Sequence, residues 1–377
     1  MILVHKASKP KNSKINKYVL EEEMKQYKKS ILIIALVMVA VLALGACAPK
    51  VEPTTVTEPA ETEEVKPVET QEKYTIGVSL QGANNSWAAA SYAHFKYGFE
   101  EYQDKIENIY YVECGYDPQK QIADIEDLLT KNVDVLLIQS TSETALVGVI
   151  GKAKDQGVKV VVYGGSVGTD VYDAYIDRDH QITGATYAQY VVDRIGGKGN
   201  VIVVMGYPGS GYSNAVLAGV DSVLANYPDV KVLGYEYAEY TPALSKQIIE
   251  AYFAKGEQID GVIVDGGLMG FGVLEAFTDA GKTIPPTTCD DTFLYLKKAV
   301  ALGFTDYLCL SSAQELSYDA VKLVFDVLEG KPFTKTNMVP PQSITGEDVL
   351  TTLDPTLPDS YWLFSQIPAE RIPEFFK

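Results

Sequence analysis

From Tyr74 onward, short β-branched runs alternate with segments of helical spacing. The apolar runs are Tyr74 to Leu80, Ile109 to Cys114, Val133 to Gln139, Val158 to Tyr163, Val201 to Met205, Val230 to Tyr237, Gly261 to Asp265, Thr287 to Asp290 and Tyr307 to Ser311. Strands apolar along their whole length are buried on both faces, so the pattern predicts an α/β fold with parallel sheets covered by helices on both sides. Pro118 to Thr130 is representative of the helices. Asp117 is its expected N-cap, Pro118 sits in the first turn, and Ile122, Ile125, Leu128 and Leu129 share one face. Gly157, Gly281 and Gly303 stand where helices should stop.

Residues 74–377 exceed the roughly 250 residues that one core comfortably serves, so two Rossmann-like lobes joined by a hinge are expected. The strand-helix pattern restarts at Gly199-Asn200-Val201. We assign residues 74–178 to an N-terminal lobe, 179–313 to a C-terminal lobe, 314–345 to a return across the hinge and 346–377 to a C-terminal extension. Ala174 to Asp179 reads as a hinge strand or as an ordinary edge strand; sequence leaves both open. The extension carries Pro355, Pro358, Pro368 and Pro373 among Tyr361, Trp362, Phe364, Phe375 and Phe376. It either packs back on a lobe or shapes the mouth of a cleft.

Charge separates the start of the chain from the rest. The whole chain is formally -18 with 22% charged and 46% hydrophobic residues, yet residues 1–46 hold eight Lys and no Arg against three Glu. Fourteen consecutive apolar residues, Ile31 to Leu44, follow Lys25, Lys28 and Lys29 and precede Gly45-Ala46-Cys47. That run has the length of a signal-peptide core and falls short of the ~20 residues that span a bilayer. Leu44-Gly45-Ala46-Cys47 resembles the bacterial lipoprotein lipobox, which implies that residues 1–46 are a signal peptide and that Cys47 is lipidated. Residues 1–23 read as a start codon placed too early, because Met24 opens a complete signal by itself. Residues 47–73 then form a Pro/Glu/Thr stalk without aromatic residues, a composition unable to bury a core.

An acidic body is repelled by phosphate backbones, so nucleic acid is not an expected partner. The four Cys and three His residues are too scattered for a zinc site or a disulfide framework, and no metal or cofactor is expected. Cys289 and Cys309 lie on successive predicted strands, where buried free thiols are the expected state.

In parallel sheets ligands collect at the carboxyl ends of strands. The first such loop, Gly82-Ala83-Asn84-Asn85-Ser86-Trp87, resembles the opening of the ribose- and galactose-binding type I periplasmic solute-binding proteins. Further stretches follow in the family's order: Cys114 to Gln121, Val133 to Gln139, Gly157 to Val162, Gly261 to Asp265, Cys289-Asp290-Asp291 and Ala313-Gln314. The resemblance covers about residues 74 to 345. It implies a sugar held between two lobes, with Asn85 bonding a hydroxyl, Trp87 and Tyr240 covering ring faces, a carboxylate from Asp290 or its neighbour Asp291, and Gln314 at the hinge. It further implies delivery to the permease of an ABC transporter, a monomeric binding protein, and no catalysis. The same residues have plainer readings: Asp290 or Asp291 as a helix cap, and Trp87 as packing.

The chain also departs from the ribose pattern. Gly164-Gly165 replaces an Asp-Arg pair, no Arg occurs between Gly209 and Gly219, and Asp265-Gly266-Gly267 replaces Asn-Asp. Ribose itself is therefore disfavoured. Tyr207, Tyr212, Ser213 and Asn214 are candidates for the missing contacts, and Arg178 for a cation near the hinge. Three other functions remain in view: a ligand-binding partner of a membrane sensor, a nucleoside or quorum-signal binder of the same fold, and a secreted hydrolase. The last rests on Gly164-Gly165-Ser166-Val167-Gly168, which matches Gly-x-Ser-x-Gly but is followed by a non-helical sequence and by His180 as the only later histidine.

Overall fold

The computed structural model describes residues 73–82 and 86–376. The signal peptide, Cys47, nearly all of the stalk, and Asn85 lie outside the described residues. Strands and helices are numbered here along the described chain. The first sheet contains β1 (Tyr74–Leu80), β2 (Ile106–Glu113), β3 (Val135–Gln139), β4 (Lys159–Tyr163), β5 (Ala174–Arg178) and β11 (Thr336–Val339). Its order is β11-β5-β4-β3-β1-β2, and every pairing is parallel. The second contains β6 (Gly199–Met205), β7 (Val230–Tyr237), β8 (Gly261–Val264), β9 (Thr287–Asp290), β10 (Tyr307–Leu310) and β12 (Ser343–Thr345). Its order β12-β10-β9-β8-β6-β7 repeats the first winding, with only β12 antiparallel.

Side chains alternate between the two faces of each strand, and the core divides accordingly. On one face of the first sheet Ile76, Val78, Val135, Leu137 and Val161 pack against Phe95, Phe99, Val321 and Phe325. These last belong to α1 (Ser86–Glu100) and α9 (Leu316–Leu328). On the opposite face Leu136, Ile138, Val160 and Val162 meet Ile125, Leu128 and Ile150, from α2 (Pro118–Leu129) and α3 (Val147–Asp155). The Asp117 carboxylate accepts from the Gln119 and Lys120 amides at 2.8 and 3.3 Å, as its position before Pro118 predicts.

The second sheet is covered by α4 (His180–Arg194) and α5 (Gly211–Leu224) on one side. Its other side carries α6 (Pro242–Ala254) and α7 (Gly267–Asp279), with α8 (Phe293–Leu302) beside α7. The pair α4 and α5 cross at backbone distance. A Cβ on Gly184 would collide with the Val216 carbonyl, and one on Gly219 with the Gln181 carbonyl.

The chain passes between the sheets three times. It leaves the first lobe after β5 to enter α4, comes back after β10 to enter α9, and returns from β11 to β12 through residues 340–342. The open choice for Ala174–Arg178 is thereby resolved: β5 lies inside the sheet, between β4 and β11, and its end is the first crossing. Each lobe is completed by chain from beyond the hinge. After α10 (Gly346–Thr352), which packs on α8 in the second lobe, the extension turns back over both lobes. Cys289 and Cys309 are register partners on β9 and β10, both buried and free. Burial pushes both thiols up, which keeps them inert.

Candidate functional site

The carboxyl ends of the strands gather most of the residues singled out from sequence. In the first lobe Trp87 occupies the first turn of α1, its ring parallel to that of Tyr163 with centroids 6.5 Å apart. Its indole Nε1 donates to Ser312 Oγ at 2.9 Å. Gly164, at the end of β4, lies under this ring: a Cβ there would stand 3.8 Å from the indole. At Gly165 a Cβ would press on the Ser140 carbonyl at 2.7 Å, and the φ of 157° is itself one that side chains avoid. The Gly pair therefore brings backbone, rather than side chains, close to the platform. Behind it Gln139 is held by Gln81, whose amide donates to Oε1 at 3.1 Å, while the buried Gln139 Nε2 has no partner.

In the second lobe Tyr240 adopts φ 53° at the end of the β7 loop, and its ring occupies the space over Gly206 and Gly266 where Cβ atoms would otherwise sit. The Tyr207 ring lies edge-on to Tyr240 at 5.6 Å and is half exposed. Tyr212 donates its hydroxyl to the Asp265 carbonyl oxygen at 3.1 Å and meets the His180 ring edge-on at 4.7 Å. Asp265 is buried at the end of β8. One carboxylate oxygen accepts from the Gly206 amide at 3.3 Å and the other has no partner. Burial pushes this carboxyl up to about 8, and the neighbouring Asp290 charge adds to the rise. Asp290 accepts from the Gly267 amide at 2.8 Å and from Thr292, so it joins β9 to the start of α7. Burial likewise pushes Asp290 up to about 7, against the pull of the Thr292 hydroxyl. Ser213 Oγ is a third buried polar atom without a partner, whereas Asn214 is exposed on α5.

The structure places Arg178, Asp291 and Gln314 together at the crossings, joined to the Trp87 platform through Ser312. The Arg178 guanidinium donates to the Ser312 carbonyl at 2.8 Å and the Pro340 carbonyl at 2.8 Å, and it pairs with buried Glu315. One side chain thus ties the end of the first crossing to the second and third. Asp291 accepts from the Ser312 amide at 2.9 Å and the Phe364 amide at 3.0 Å, and Gln314 Nε2 approaches it at 3.5 Å. The sequence reading missed Ser312, Glu315, Gln139 and His94. Only Glu315 had a usable signal, as an acidic residue following Gln314 at a lobe return; the others are common polar residues whose partners come from far along the chain.

No helix follows Ser166, whose stretch runs through turns to β5, so the geometry of a nucleophile elbow is absent there. Among the described residues no group of His, Cys, Asp and Glu is placed to hold a metal ion. No described helix is long and apolar enough to cross a membrane.

Comparison with known proteins agrees with this geometry. The chain is 31% identical over 195 residues to a xylitol-binding protein of Mycolicibacterium smegmatis, covering 51% of this chain and 55% of the relative, so that it spans about half the length of that protein. It is 25% identical over 274 residues to the ribose import binding protein of Bacillus subtilis, covering 72% of this chain and 87% of the relative. Among solved structures, an ABC transporter solute-binding protein from Thermobispora bispora superposes with a TM-score of 0.66 at 30% identity, covering 77% of this chain and 90% of the other. The model of the periplasmic binding protein domain matches residues 76–332, and with two equivalently wound α/β lobes joined by three crossings, the chain belongs to the periplasmic binding protein family.

Proposed function

We propose that this protein is an extracytoplasmic binding lipoprotein that captures a neutral sugar or polyol between its lobes and presents it to an ABC permease. The observation that carries this reading is the set of buried polar atoms at the strand ends with no partner in the chain. Asp265 Oδ1, Ser213 Oγ and Gln139 Nε2 face this condition beside the Trp87–Tyr163 stack and the Tyr207–Tyr240 pair. Buried polar groups are ordinarily satisfied, so atoms left open next to aromatic faces suit a ligand with hydroxyls and apolar C–H faces. Arg178 ends β5 but is ion-paired with buried Glu315, and no other strand-end side chain named above is Lys or Arg, which disfavours sugar acids and phosphates. The xylitol- and ribose-binding relatives support the ligand class. In this reading Asn85, Trp87, Gly164, Gly165, Tyr212, Tyr240, Asp265 and Asp290 line the ligand, and Arg178, Asp291 and Gln314 act through the hinge. The lipobox-like run ending in Cys47 supports a lipid anchor, with two or more acyl chains holding the body to a membrane.

Function follows from closure. A ligand stabilises the closed form by as much as it binds that form better than the open one. Thermal unfolding of the purified full chain against pentoses, hexoses, polyols, disaccharides, nucleosides and sugar acids tests the proposal. A compound at about 100 times its Kd adds about 2.7 kcal/mol, a shift of several degrees. A shift confined to neutral sugars or polyols, with the compound recovered intact, is the expected result. No shift with any sugar or polyol, or chemical turnover, overturns the reading.

A further inference from the structure

The extension beyond α10 changes lobes at one peptide bond. Up to Phe364 its hydrogen-bond and ion-pair partners outside the extension belong to the second lobe. Asp359 pairs with Lys297 of α8 at 2.7 Å, the Tyr361 ring meets Phe293 edge-on at 4.8 Å, Trp362 bridges to Thr292, and the Leu363 amide donates to the Asp291 carbonyl at 3.0 Å. From Ser365 its partners belong to the first lobe and to the start of α9. His94 Nε2 faces the Ser365 hydroxyl at 3.0 Å and accepts from the Gln366 amide at 3.3 Å, and its Nδ1 faces the Ala90 carbonyl at 2.7 Å. The Gln366 amide nitrogen donates to Asp319 of α9 at 3.1 Å, Arg371 pairs with Glu100 of α1 at 2.8 Å, and the Phe375 ring meets Tyr97 at 5.8 Å.

We infer that residues 353–376 act as a strap across the lobes that holds the unliganded protein toward its closed form. The three chain crossings lie along one edge, where β11 and β12 end their sheets, and can serve as pivots. The strap differs because it is a packed contact. Trp362, Ile367, Ile372 and Phe376 are buried in one cluster with Ala90 and Ala93 of α1 and Phe293 and Leu296 of α8, helices from opposite lobes. Rotation that parts those helices must expose this cluster or stretch the strap, and exposing apolar surface costs about 25 cal/mol per Å². The strap also reaches the aromatic platform: the Phe364 amide binds Asp291, Asp291 holds the Ser312 amide, and Ser312 accepts the Trp87 indole. Asp291 is on this account a positioning residue for Trp87. The inference rests on the hinged reading of the fold but not on the identity of any ligand.

The test slackens the strap without removing either docked end. Four glycines are inserted between Phe364 and Ser365 in the full chain, and opening is read without ligand as the distance between nitroxides at Gln119→Cys and Ala243→Cys. These exposed positions begin α2 and α6, which follow β2 and β7, the sheet edges opposite the crossings. Cys47→Ser removes the one cysteine outside the described residues, and the other three are buried. The expected result is a distance distribution longer by about 5 Å or more and broader than in the parent. An unchanged distribution, or a shorter one, overturns the strap whatever the ligand panel shows. Should the insertion fail to fold, the double substitution Gln366→Ala and Arg371→Ala, which cuts the first-lobe anchors at constant length, is expected to lengthen the distance in the same direction; no lengthening there also overturns it.

Discussion

The crossings and the strand ends are both lined with buried polar side chains, but they are satisfied in different ways. At the crossings Arg178 bonds two carbonyls and Glu315, and both Asp291 oxygens accept backbone amides. At the strand ends Asp265 makes a single 3.3 Å side-chain bond, and Ser213 Oγ makes none. Both regions keep open atoms, Arg178 Nε, Gln314 Oε1 and Glu315 Oε2 at the crossings and Asp265 Oδ1, Ser213 Oγ and Gln139 Nε2 at the strand ends, so they differ in how many bonds run between distant parts of the chain and not in whether every atom is paired. The contrast separates Arg178 and Asp291, whose bonds tie the crossings to one another, from Asp265 and Asp290, whose bonds stay within one lobe.

The largest expected effect lies at the crossings. Arg178→Ala strands Glu315 and two carbonyls in the interior, and urea unfolding should show a loss of about 3–5 kcal/mol. An equal loss from Trp87→Ala would erase the distinction between the two regions. Trp87→Ala is expected instead to weaken by about 2 kcal/mol the binding of whichever panel compound stabilises the parent, measured by calorimetry, with a smaller change in stability.

Proton linkage sharpens the comparison further, because the strap and the strand ends carry opposite signs. Burial pushes His94 down to about 4, so below its ordinary 6.5 the unfolded chain takes up a proton that the folded chain refuses. Its contribution is full above 6.5 and is lost as pH falls toward 4. His94→Gln should remove about 1.5 kcal/mol of acid-side loss between pH 7 and about 5.4 in unfolding titrations, after allowance for the difference at pH 7. For Asp265 the folded form holds its proton up to about 8, whereas the unfolded carboxyl loses it near its ordinary 3.8. Stability from this group is full below that value and declines as pH rises to 8. Asp265→Asn should flatten this slope and raise unliganded stability at pH 8 relative to the parent, while ligand binding weakens.

How much of this was legible beforehand follows from the range of the interactions. The strands and the α2 helix were readable because period, caps and apolar runs are local: Asp117-Pro118 announces its helix whatever the rest of the chain does. Trp87 and Asp290 could be placed near strand ends for the same reason. Arg178 could not be read correctly as to partner. Its sequence neighbours Asp177 and Asp179 suggest a surface cluster, but its guanidinium reaches Ser312, Glu315 and Pro340, more than 130 residues away. The extension was similarly opaque, since its aromatic residues show that it packs but not on what. His94 gave no sign at all, being one histidine in a helix whose partners come from near the end of the chain.

The exchange of strands between lobes also bears on the order in which the molecule is made. The first sheet takes β11 as its edge, and one face of its core is closed by Leu316, Val321 and Phe325 of α9, all emerging after the whole second sheet up to β10. A nascent chain that has completed residues 74–200 therefore has five strands of a sheet with half of one face uncovered and one edge unpaired, a state prone to association and accessible to proteases. The lobe that is translated first cannot close its core until all but the last strand of the other has been made.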